Sequence, residues 1–345
     1  MSHFALLIQV WYRQNHRILP WRETKDPYKI WLSEVLLQQT RVDQGKSYYN
    51  KFIEKYPNIQ KLAAAEEQEV LRLWQGLGYY SRARNLLAAA KQVVDGFQGV
   101  FPNTYKDIKS LKGVGDYTAS AIASFAYDLP YAVLDGNVFR VLSRYFNDNT
   151  PIDTGQGVKV FKTYAEQVLN REEPAEFNQA IMEIGAMVCK PRNPDCEICP
   201  LADTCLAYNE GDPIQLPVKS KKVKVTTRHF HYLIYPSQEI QLIKREGKGI
   251  WQNMFEFPKI ELEEKKLKSE IKSIVEEKFE VKLLKKISAE KHILTHQHIN
   301  ATFWIIDQKI KGETIIMAEL DAINDYPLPR LIERFLENHG EVFCK

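Results

Sequence analysis

The sequence predicts a two-domain protein, with an all-helical domain at residues 1–215 and an α+β domain at residues 226–345. Through the first domain, apolar residues recur at three- and four-residue spacing, which is the period of a helix. Beyond about residue 226 the period shortens to two, as in strands. Between them, GDPIQLPVKSKKVKV at residues 211–225 combines a glycine, two prolines and four lysines, which indicates an exposed linker, placed at residues 216–225.

In the first domain, helices are predicted at WLSEVLLQQT, EEQEVLRLWQGL, RNLLAAAKQVV and VKVFKTYAEQVL, which start at positions 31, 66, 84 and 158. In the second domain, strands are predicted at RHFHYLIY, EIQLIKRE, HILTHQHI and NATFWIID. Two helices are predicted there, at LEEKKLKSEIKSIVEEKF and PRLIERFLENH. The order of these elements makes the second domain α+β.

The composition of the 345 residues is that of a globular protein, with 44% hydrophobic and 26% charged residues. A net charge of +3 is too weak to indicate a nucleic-acid partner by itself. No apolar run approaches the roughly 18 residues of a membrane span. The FALLIQV stretch after His3 runs into Arg13 without a cleavage site, so we expect a cytoplasmic protein with no membrane partner.

Four of the five cysteines form the pattern C-x6-C-x2-C-x5-C, through Cys189, Cys196, Cys199 and Cys205. Their clustering indicates a shared metal centre rather than disulfides. Four cysteines at short spacing suit tetrahedral zinc as well as an iron–sulfur cluster, and their number does not decide between the two. Cys344 lies outside the pattern and is expected to be an incidental thiol.

A turn that can bind an anion is predicted at LKGVGDYTASAI, where Gly113 and Gly115 stand between two helical stretches. Glycines let the backbone turn tightly and direct amide N–H groups outward, a geometry that binds phosphate. A pair of glycines at this spacing also serves as a plain helix cap, so the motif is weak evidence when taken alone.

Two carboxylates stand out as candidates for acid–base chemistry. Asp135, in VLDGNVFRVLSR, begins a helix, where an aspartate often serves only as a cap; the cap hydrogen bonds would also keep it ionised. Glu34 lies where six of the eight residues from Ile30 to Leu37 are apolar. Such surroundings are expected to raise its pKa and keep a proton available.

These motifs, together with LPWR, WQGLGYYSRARNL and FNQA, resemble those of the MutY family of adenine DNA glycosylases. The resemblance implies a helix-hairpin-helix glycosylase fold, with the hairpin at about residues 106–125. It implies a [4Fe–4S] cluster at the four cysteines, in a loop at residues 189–205 whose Lys190 and Arg192 meet phosphates. The hairpin of this family binds the phosphate backbone without selecting a sequence.

The resemblance also assigns roles. Glu34 would protonate adenine, Asp135 would stabilise the sugar cation, and Asn137 would hold the attacking water. Tyr117 stands where bifunctional relatives have a Schiff-base lysine, so the enzyme would be monofunctional. The remaining residues would bind substrate and DNA, with Trp21, Arg22 and Gln179 around the extruded adenine, Gln39 and Tyr79 in the base stack, and Thr40, Gly113 and Gly115 along the DNA. Judged without the resemblance, Tyr79 and Tyr80 are ordinary packing residues.

The second domain resembles a Nudix fold through GIWQNMFEFP and HILTHQHI, but it lacks the acidic Nudix signature. We therefore expect residues 226–345 to recognise 8-oxoguanine, with Thr295 and His296 in the recognition loop. Leu294 stands where the family often has phenylalanine, so an aromatic stacking partner is missing.

The expected substrate is double-stranded DNA with adenine opposite 8-oxoguanine or guanine, bound by a monomer in the bacterial cytoplasm at the nucleoid. Two alternatives remain: an endonuclease III-type glycosylase/lyase, and a non-catalytic DNA-binding redox protein. Tyr117, Glu34 and the added second domain oppose the first, and the presence of both carboxylates opposes the second.

Overall fold

The computed structural model describes residues 2–220 and 225–343. The chain forms two compact units: a helical unit, Met1–Ala64 with Asn85–Lys221, and a mixed unit, Ala65–Arg84 with Lys222–Lys345. Residues 221–224 of the predicted linker, and Cys344, lie outside the described residues. No helix within the described ranges is long and apolar enough to cross a bilayer.

Helices account for most of the first 220 residues. They are α1 (His3–Asn15), α2 (Pro27–Leu37), α3 (Val42–Lys55), α4 (Ile59–Ala63), α5 (Glu67–Leu73), α6 (Ser81–Gly96), α7 (Tyr105–Ser110), α8 (Asp116–Tyr127), α9 (Gly136–Tyr145), α10 (Gly155–Val168), α11 (Pro174–Met187) and α12 (Leu206–Glu210). Of these, α5 and the first turn of α6 belong to the mixed unit. Helix α2 packs against α3 and α8, while α11 packs against α1, α8 and α9.

The start of α2 shows how local chemistry sets an element of the site. Asp26 accepts a hydrogen bond from the Tyr28 N–H, and Pro27, whose missing N–H costs nothing there, occupies the first helical position. Residues 30–36 are all buried. Helix α2 is therefore a core helix, and any charge that it carries in that stretch is desolvated.

The mixed unit contains β1 (Thr226–Ile234), β2 (Glu239–Lys244), β3 (Phe255–Glu256), β4 (Lys259–Leu262), α13 (Lys268–Phe279), β5 (Leu283–Ile293), β6 (Gln297–Ile306), β7 (Ile315–Glu319) and α14 (Arg330–His339). One sheet has the order β4-β1-β6-β5, in which only β1 and β6 are parallel. The other sheet, β3-β2-β7, is antiparallel. The predicted all-helical and α+β classes are confirmed.

Helices cover both faces of the four-stranded sheet. On one face, Ile271 and Val275 of α13 pack in a core with Leu233 and Trp304. On the other face, the Phe335 ring of α14 stacks on a phenylalanine of β6, with ring centroids 4.1 Å apart. This arrangement buries the inner face of each helix and holds the β5–β6 turn on a packed scaffold.

Three predictions of secondary structure need correction. Helix α5 ends at Leu73, because the following WQGLG turns through Gly76 and Gly78, both with positive φ. The predicted helix at residues 262–279 begins only at Lys268, and Leu262 is instead the last residue of β4. The expected strand HILTHQHI is a hairpin, since the Leu294 N–H bonds to the Gln297 carbonyl and closes a turn between β5 and β6.

Segment 65–84 was expected in the helical domain, but its contacts group it with the mixed unit. Polar contacts hold it there. Arg84 donates to the Gln252 carbonyl at 2.9 Å, and Arg72 pairs with Asp325 at 2.9 Å. Asn253 also donates to Glu67.

Candidate active site

A pocket of about 370 Å³ lies in the helical unit and gathers nine of the predicted site residues. They come from distant parts of the sequence and are Trp21, Arg22, Glu34, Gln39, Thr40, Tyr117, Asp135, Asn137 and Gln179. Polar groups converging in one concave site are typical of a ligand pocket. The pocket brings both candidate carboxylates into one cavity.

Glu34 is a buried acid, with 7% of its surface exposed. Burial raises its pKa to about 7, against a hydrogen bond from the Tyr117 hydroxyl; the charge of Asp135 raises it further, and Arg22 lowers it. The Tyr117 hydroxyl donates to Glu34 Oε2 at 2.7 Å. A carboxyl with a pKa near 7 carries a proton in a large fraction of molecules at neutral pH, as general acid catalysis requires.

Asp135 caps helix α9. Its Oδ1 accepts from the N–H groups of Asn137 and Val138, at 2.9 and 2.8 Å. Burial nevertheless raises its pKa, although these hydrogen bonds lower it. The expectation that cap hydrogen bonds alone set its ionisation was therefore incomplete, since desolvation acts on this carboxylate too.

The side-chain amide of Asn137 is hydrogen-bonded to two neighbouring side chains. Its Nδ2 donates to Asp135 Oδ2 at 2.9 Å, and its Oδ1 accepts from Arg140 at 2.7 Å. An amide has two N–H groups and two lone pairs, so one of each remains after these bonds. Asn137 thus contacts Asp135 directly, and its predicted contact with the attacking water stays a prediction.

Glu183 is a site residue that the sequence analysis missed. Only 1% of it is exposed, and it accepts from Arg17 and Arg22 at 2.7 Å each. Against burial, these hydrogen bonds lower its pKa to about 2. It holds Arg22 in the pocket wall. The signal was available, because Glu183 stands among apolar residues in AIMEIGAM, as Glu34 does in its own segment.

Asn178 was also missed as a supporting residue, although FNQA was noted. It is fully buried, and its amide donates to Ser124 and to the Tyr131 carbonyl at 2.8 Å each. Its carbonyl oxygen accepts from the Val133 N–H at 3.1 Å. These bonds fix the chain just before Asp135. Next to it on α11, Gln179 faces the pocket.

Trp21 and Gln39 line the same pocket in different ways. Trp21 is buried, with its ring edge-on to Tyr49 at 5.3 Å. Gln39 is exposed just after α2, in left-handed backbone with φ 59°. A non-glycine residue in this conformation is strained and recurs at functional turns.

The predicted glycine turn lies between α7 and α8. Gly113 has φ +78°, and a Cβ there would lie 2.7 Å from the Cβ of Asn85, so the position requires glycine. At Gly115 an added Cβ would meet nothing within 4 Å. Gly115 is the N-cap of α8 and, having no side chain, leaves that helix end open to an approaching anion.

The four pattern cysteines line one small cavity at the end of the helical unit. Burial raises the pKa of Cys199 to about 12, and the other three thiols raise it further. Within residues 2–220 and 225–343, no three His, Cys, Asp or Glu side chains converge on a single metal ion. Four thiols around one cavity form the donor set of an iron–sulfur cluster, whose positive charge would hold them as thiolates.

Helix α9 supports this loop with two buried arginines. Arg144 donates to the Cys189 sulfur at 3.2 Å and to the Lys190 carbonyl at 2.8 Å. Arg140 donates to the Cys189 carbonyl at 2.7 Å. Lys190 pairs with Asp195 at 2.8 Å. The helix that Asp135 caps is therefore bonded to the cysteine loop.

A second pocket, of about 530 Å³, lies in the mixed unit. It brings together three predicted residues, namely Tyr79 and the adjacent Thr295 and His296, which follow Tyr79 by more than 215 positions. The hydroxyls of Tyr79 and Thr295 are hydrogen-bonded to each other. Tyr79 is 43% exposed and, like Gln39, has left-handed backbone, with φ 47°. Trp251 and His292, which the sequence analysis did not single out, also line the pocket.

Known families match three stretches of the chain. Residues 32–185 match the HhH-GPD superfamily of base excision DNA repair proteins, and residues 229–338 match a NUDIX domain. Residues 189–205 match the iron–sulfur binding domain of endonuclease III. An adenine DNA glycosylase of Buchnera aphidicola subsp. Baizongia pistaciae is 38% identical over 313 residues, which cover 89% of this chain and 87% of that protein. The chain belongs to the adenine DNA glycosylase family.

Other adenine DNA glycosylases are similar over shorter or longer stretches. The human adenine DNA glycosylase is 41% identical over 215 residues, or 60% of this chain and 39% of that protein. Among solved structures, a thermostable thymine-DNA glycosylase has a TM-score of 0.56 and 31% identity, covering 60% of this chain and 95% of its own. An endonuclease III–DNA complex, at 23% identity and a TM-score of 0.52, shares the fold over a similar range.

Membership of the adenine DNA glycosylase family confirms the predicted resemblance and the predicted enzyme class, a DNA N-glycosylase. The iron–sulfur match at residues 189–205 confirms the predicted [4Fe–4S] cofactor and decides against zinc. Cys189, Cys196, Cys199 and Cys205 are the residues in that range that would hold it.

Proposed function

We propose that this protein is a monofunctional adenine DNA glycosylase that removes adenine opposite 8-oxoguanine from duplex DNA of the bacterial nucleoid, acting as a monomer. One observation carries most weight. A buried glutamic acid with a pKa of about 7 shares a pocket with a helix-capping aspartate. Such a pair suits the cleavage of a glycosidic bond, which needs an acid for the leaving group and a carboxylate for the sugar cation.

The adenine must leave the base stack to reach this pocket. Trp21, Arg22 and Gln179 would surround the extruded base, and the left-handed turn at Gln39 would present its side chain to the vacated stack. At the hairpin, the open N-terminus of α8 after Gly115 would bind a phosphate of the backbone. These contacts are independent of sequence, which suits an enzyme that must survey any duplex.

The chemistry follows from the two carboxyl groups. Glu34 gives its proton to a ring nitrogen of adenine, and the C1′–N9 bonding electrons leave with the base, which departs neutral. The carboxylate of Asp135 faces the resulting oxocarbenium cation. Water then adds at C1′ and releases its proton to the Glu34 carboxylate. The Tyr117 hydroxyl holds Glu34 in place, and the amide of Asn137 holds Asp135.

The reaction would stop at the abasic site. A lyase needs an amine that attacks C1′ and forms a Schiff base, and the phenol of Tyr117 cannot do so. Its hydroxyl is also committed to Glu34 in a buried position, where burial holds its pKa well above the ordinary value. Tyr117 would therefore hold the acid Glu34 in place and would not react with the sugar.

Recognition of the lesion would fall to the pocket of the mixed unit. 8-Oxoguanine differs from guanine by a carbonyl at C8 and a proton at N7, so a hydrogen-bond acceptor facing N7 distinguishes them. The Thr295 hydroxyl is such an acceptor, and its bond to Tyr79 already orients it. His296 lies in the same turn. Because Leu294 has no aromatic ring to stack on the lesion, hydrogen bonds would provide the selectivity for 8-oxoguanine over guanine.

The domain assignment becomes part of the proposal, with segment 65–84 moved to the mixed unit: residues 1–64 and 85–215 cut the bond, residues 65–84 and 226–345 recognise the lesion, and residues 216–225 are the linker. The cluster, when bound, would supply structural order rather than bond-breaking chemistry. It would fix the loop of residues 189–205, from which Lys190 and Arg192 would meet phosphates.

The test is release of the base from duplexes that carry A, G, C or T opposite 8-oxoguanine. We expect free adenine and an abasic strand that breaks only under alkali. Borohydride trapping should give no covalent product with the wild type, whereas Tyr117→Lys should gain a trapped species. Excision of thymine but not adenine, or strand cleavage at the rate of base release, would contradict the proposal.

A further inference from the structure

Tyr12 is a buried tyrosine that contacts one residue of the active-site pocket. It belongs to α1, which packs against α11. Its hydroxyl donates to Oε1 of Gln179 at 2.5 Å, and only 6% of the tyrosine is exposed. Gln179 lines the pocket that also holds Glu34. Tyr12 thus contacts a pocket residue without lining the pocket itself.

The surroundings determine the direction of this hydrogen bond. Burial raises the pKa of Tyr12, against the nearby Arg22, so the phenol keeps a proton to donate. Arg22 lies over the tyrosine ring and has no acceptor to offer. Both oxygens of Glu183 already accept from arginines. Among the described residues, Gln179 Oε1 is the acceptor that the Tyr12 hydroxyl reaches.

A side-chain amide has one oxygen and one NH₂ group, so fixing one end fixes the other. With Oε1 held by Tyr12, Gln179 has its NH₂ group left to offer a ligand. Rotating the amide by 180° would leave the buried Tyr12 proton without its acceptor, which costs free energy. Gln179 is therefore set as a hydrogen-bond donor.

We propose that Tyr12 is a positioning residue that fixes Gln179 as a donor to a ring nitrogen of the extruded adenine. The inference rests on the proposed adenine glycosylase function. Adenine offers acceptors at its ring nitrogens and a donor at its exocyclic amine. An NH₂ group facing that amine would put donor against donor, whereas a ring nitrogen completes a hydrogen bond.

The experiment compares Tyr12→Phe, Gln179→Ala and the double variant in the full-length protein loaded with its cluster. Tyr28→Phe is the matched control, because its equally buried hydroxyl donates to the Tyr56 carbonyl instead. Single-turnover rates of base release are measured on two duplexes, with adenine or unsubstituted purine opposite 8-oxoguanine. Purine keeps the ring nitrogens and lacks the amine. Thermal unfolding of each variant is recorded as well.

Tyr12→Phe should lower the rate about 3- to 10-fold, as expected for loss of one neutral hydrogen bond. The loss should be equal on adenine and purine, and it should be absent in the Gln179→Ala background. Gln179→Ala should itself lose the same factor on both bases. Tyr28→Phe should unfold at a temperature similar to Tyr12→Phe and release both bases at the wild-type rate.

Three results would overturn the inference. They are an unchanged rate in Tyr12→Phe, a Tyr12→Phe loss that persists fully without Gln179, and a Gln179→Ala loss that vanishes on purine. The last result would show that Gln179 contacts the exocyclic amine instead of a ring nitrogen. It tests the inference even if Tyr12→Phe fails to fold. Failure of the wild type to release adenine would contradict the proposed function itself, so the two failures are distinguishable.

Discussion

At the scale of single residues, the two candidate carboxylates were predictable for different reasons. Glu34 interrupts an apolar helix, whereas Asp135 stands at a helix start, where a plain cap is common, and was singled out by the family resemblance. The sequence could not predict the net pKa shift of each carboxyl group, which sums burial, hydrogen bonds and nearby charges. Burial outweighs the cap hydrogen bonds at Asp135, and Tyr117 approaches Glu34 from 83 positions away. Such terms depend on tertiary packing.

The pH dependence of base release tests the state of Glu34. An acid with a pKa of about 7 is protonated below that value, so the single-turnover rate should be high below pH 7 and fall above it. At lower pH, protonation of Asp135 should reduce the rate again. The measurement is the rate against pH on one duplex at fixed salt. A rate that rises steadily from pH 6 to pH 9 would contradict Glu34 as the acid.

At the scale of elements, most pocket residues lie on or beside four helices, α2, α8, α9 and α11. The sequence showed the apolar periodicity of some of these helices. The role of Glu183 could not be predicted from its own segment, because it depends on arginines more than 160 positions away. HILTHQHI has the pattern of one strand, because the turn at Leu294–His296 contains neither glycine nor proline. In both cases long-range contacts, rather than local pattern, determine the structure.

Replacing Glu183 should destabilise the helical unit. Glu183→Gln leaves Arg17 and Arg22 without their carboxylate and should cost about 2–3 kcal/mol at pH 7, somewhat below a fully buried pair because Arg17 is partly exposed. The pKa of Glu183 is lowered to about 2, so its stabilisation is complete above its unfolded pKa, near 4.5, and is lost as pH falls towards 2.

Denaturant unfolding at several pH values measures this effect. The difference between wild type and Glu183→Gln should shrink below pH 4.5. Glu166→Gln, which breaks the more exposed pair with Arg171, is the control and should cost less than about 1 kcal/mol. Equal losses in the two variants would show that the buried pair does not stabilise the unit.

The cysteine loop allows a second prediction at this scale. Cys199→Ser removes one of four ligands and should give protein with less iron, weaker visible absorbance and reduced affinity for duplex DNA. Cys344→Ser, outside the ligand pattern, should keep all three properties. Iron content and DNA binding are measured on protein purified without oxygen. Full iron occupancy in Cys199→Ser would remove that residue from the ligand set.

At the scale of the whole molecule, the sequence predicted a helical unit followed by an α+β unit but not the membership of residues 65–84. This segment is helical by local pattern, and only its contacts with residues such as Asn253 and Asp325 place it in the mixed unit. A truncation near residue 225 would remove those partners. Point variants in the full chain are therefore the better test of lesion recognition.

Thr295→Val should narrow the preference for adenine opposite 8-oxoguanine over adenine opposite guanine. One lost base-edge contact is worth roughly 1–3 kcal/mol, or about 5- to 150-fold in the ratio of rates or affinities. Salt must be fixed, because phosphate contacts dominate the absolute affinity. Thr314→Val, an exposed threonine outside the pocket, should keep the wild-type ratio. An unchanged ratio in Thr295→Val would move lesion recognition elsewhere.

We propose that Glu34 and Asp135 together cleave the bond to adenine. The most direct test is the single-turnover release of free adenine from a duplex with adenine opposite 8-oxoguanine, by wild type and by Glu34→Gln. We expect adenine and an intact abasic strand from the wild type. The rate should be about 10² to 10⁴ lower in Glu34→Gln, with duplex binding retained. Release by Glu34→Gln within a few-fold of wild type would contradict the role of Glu34 as the acid.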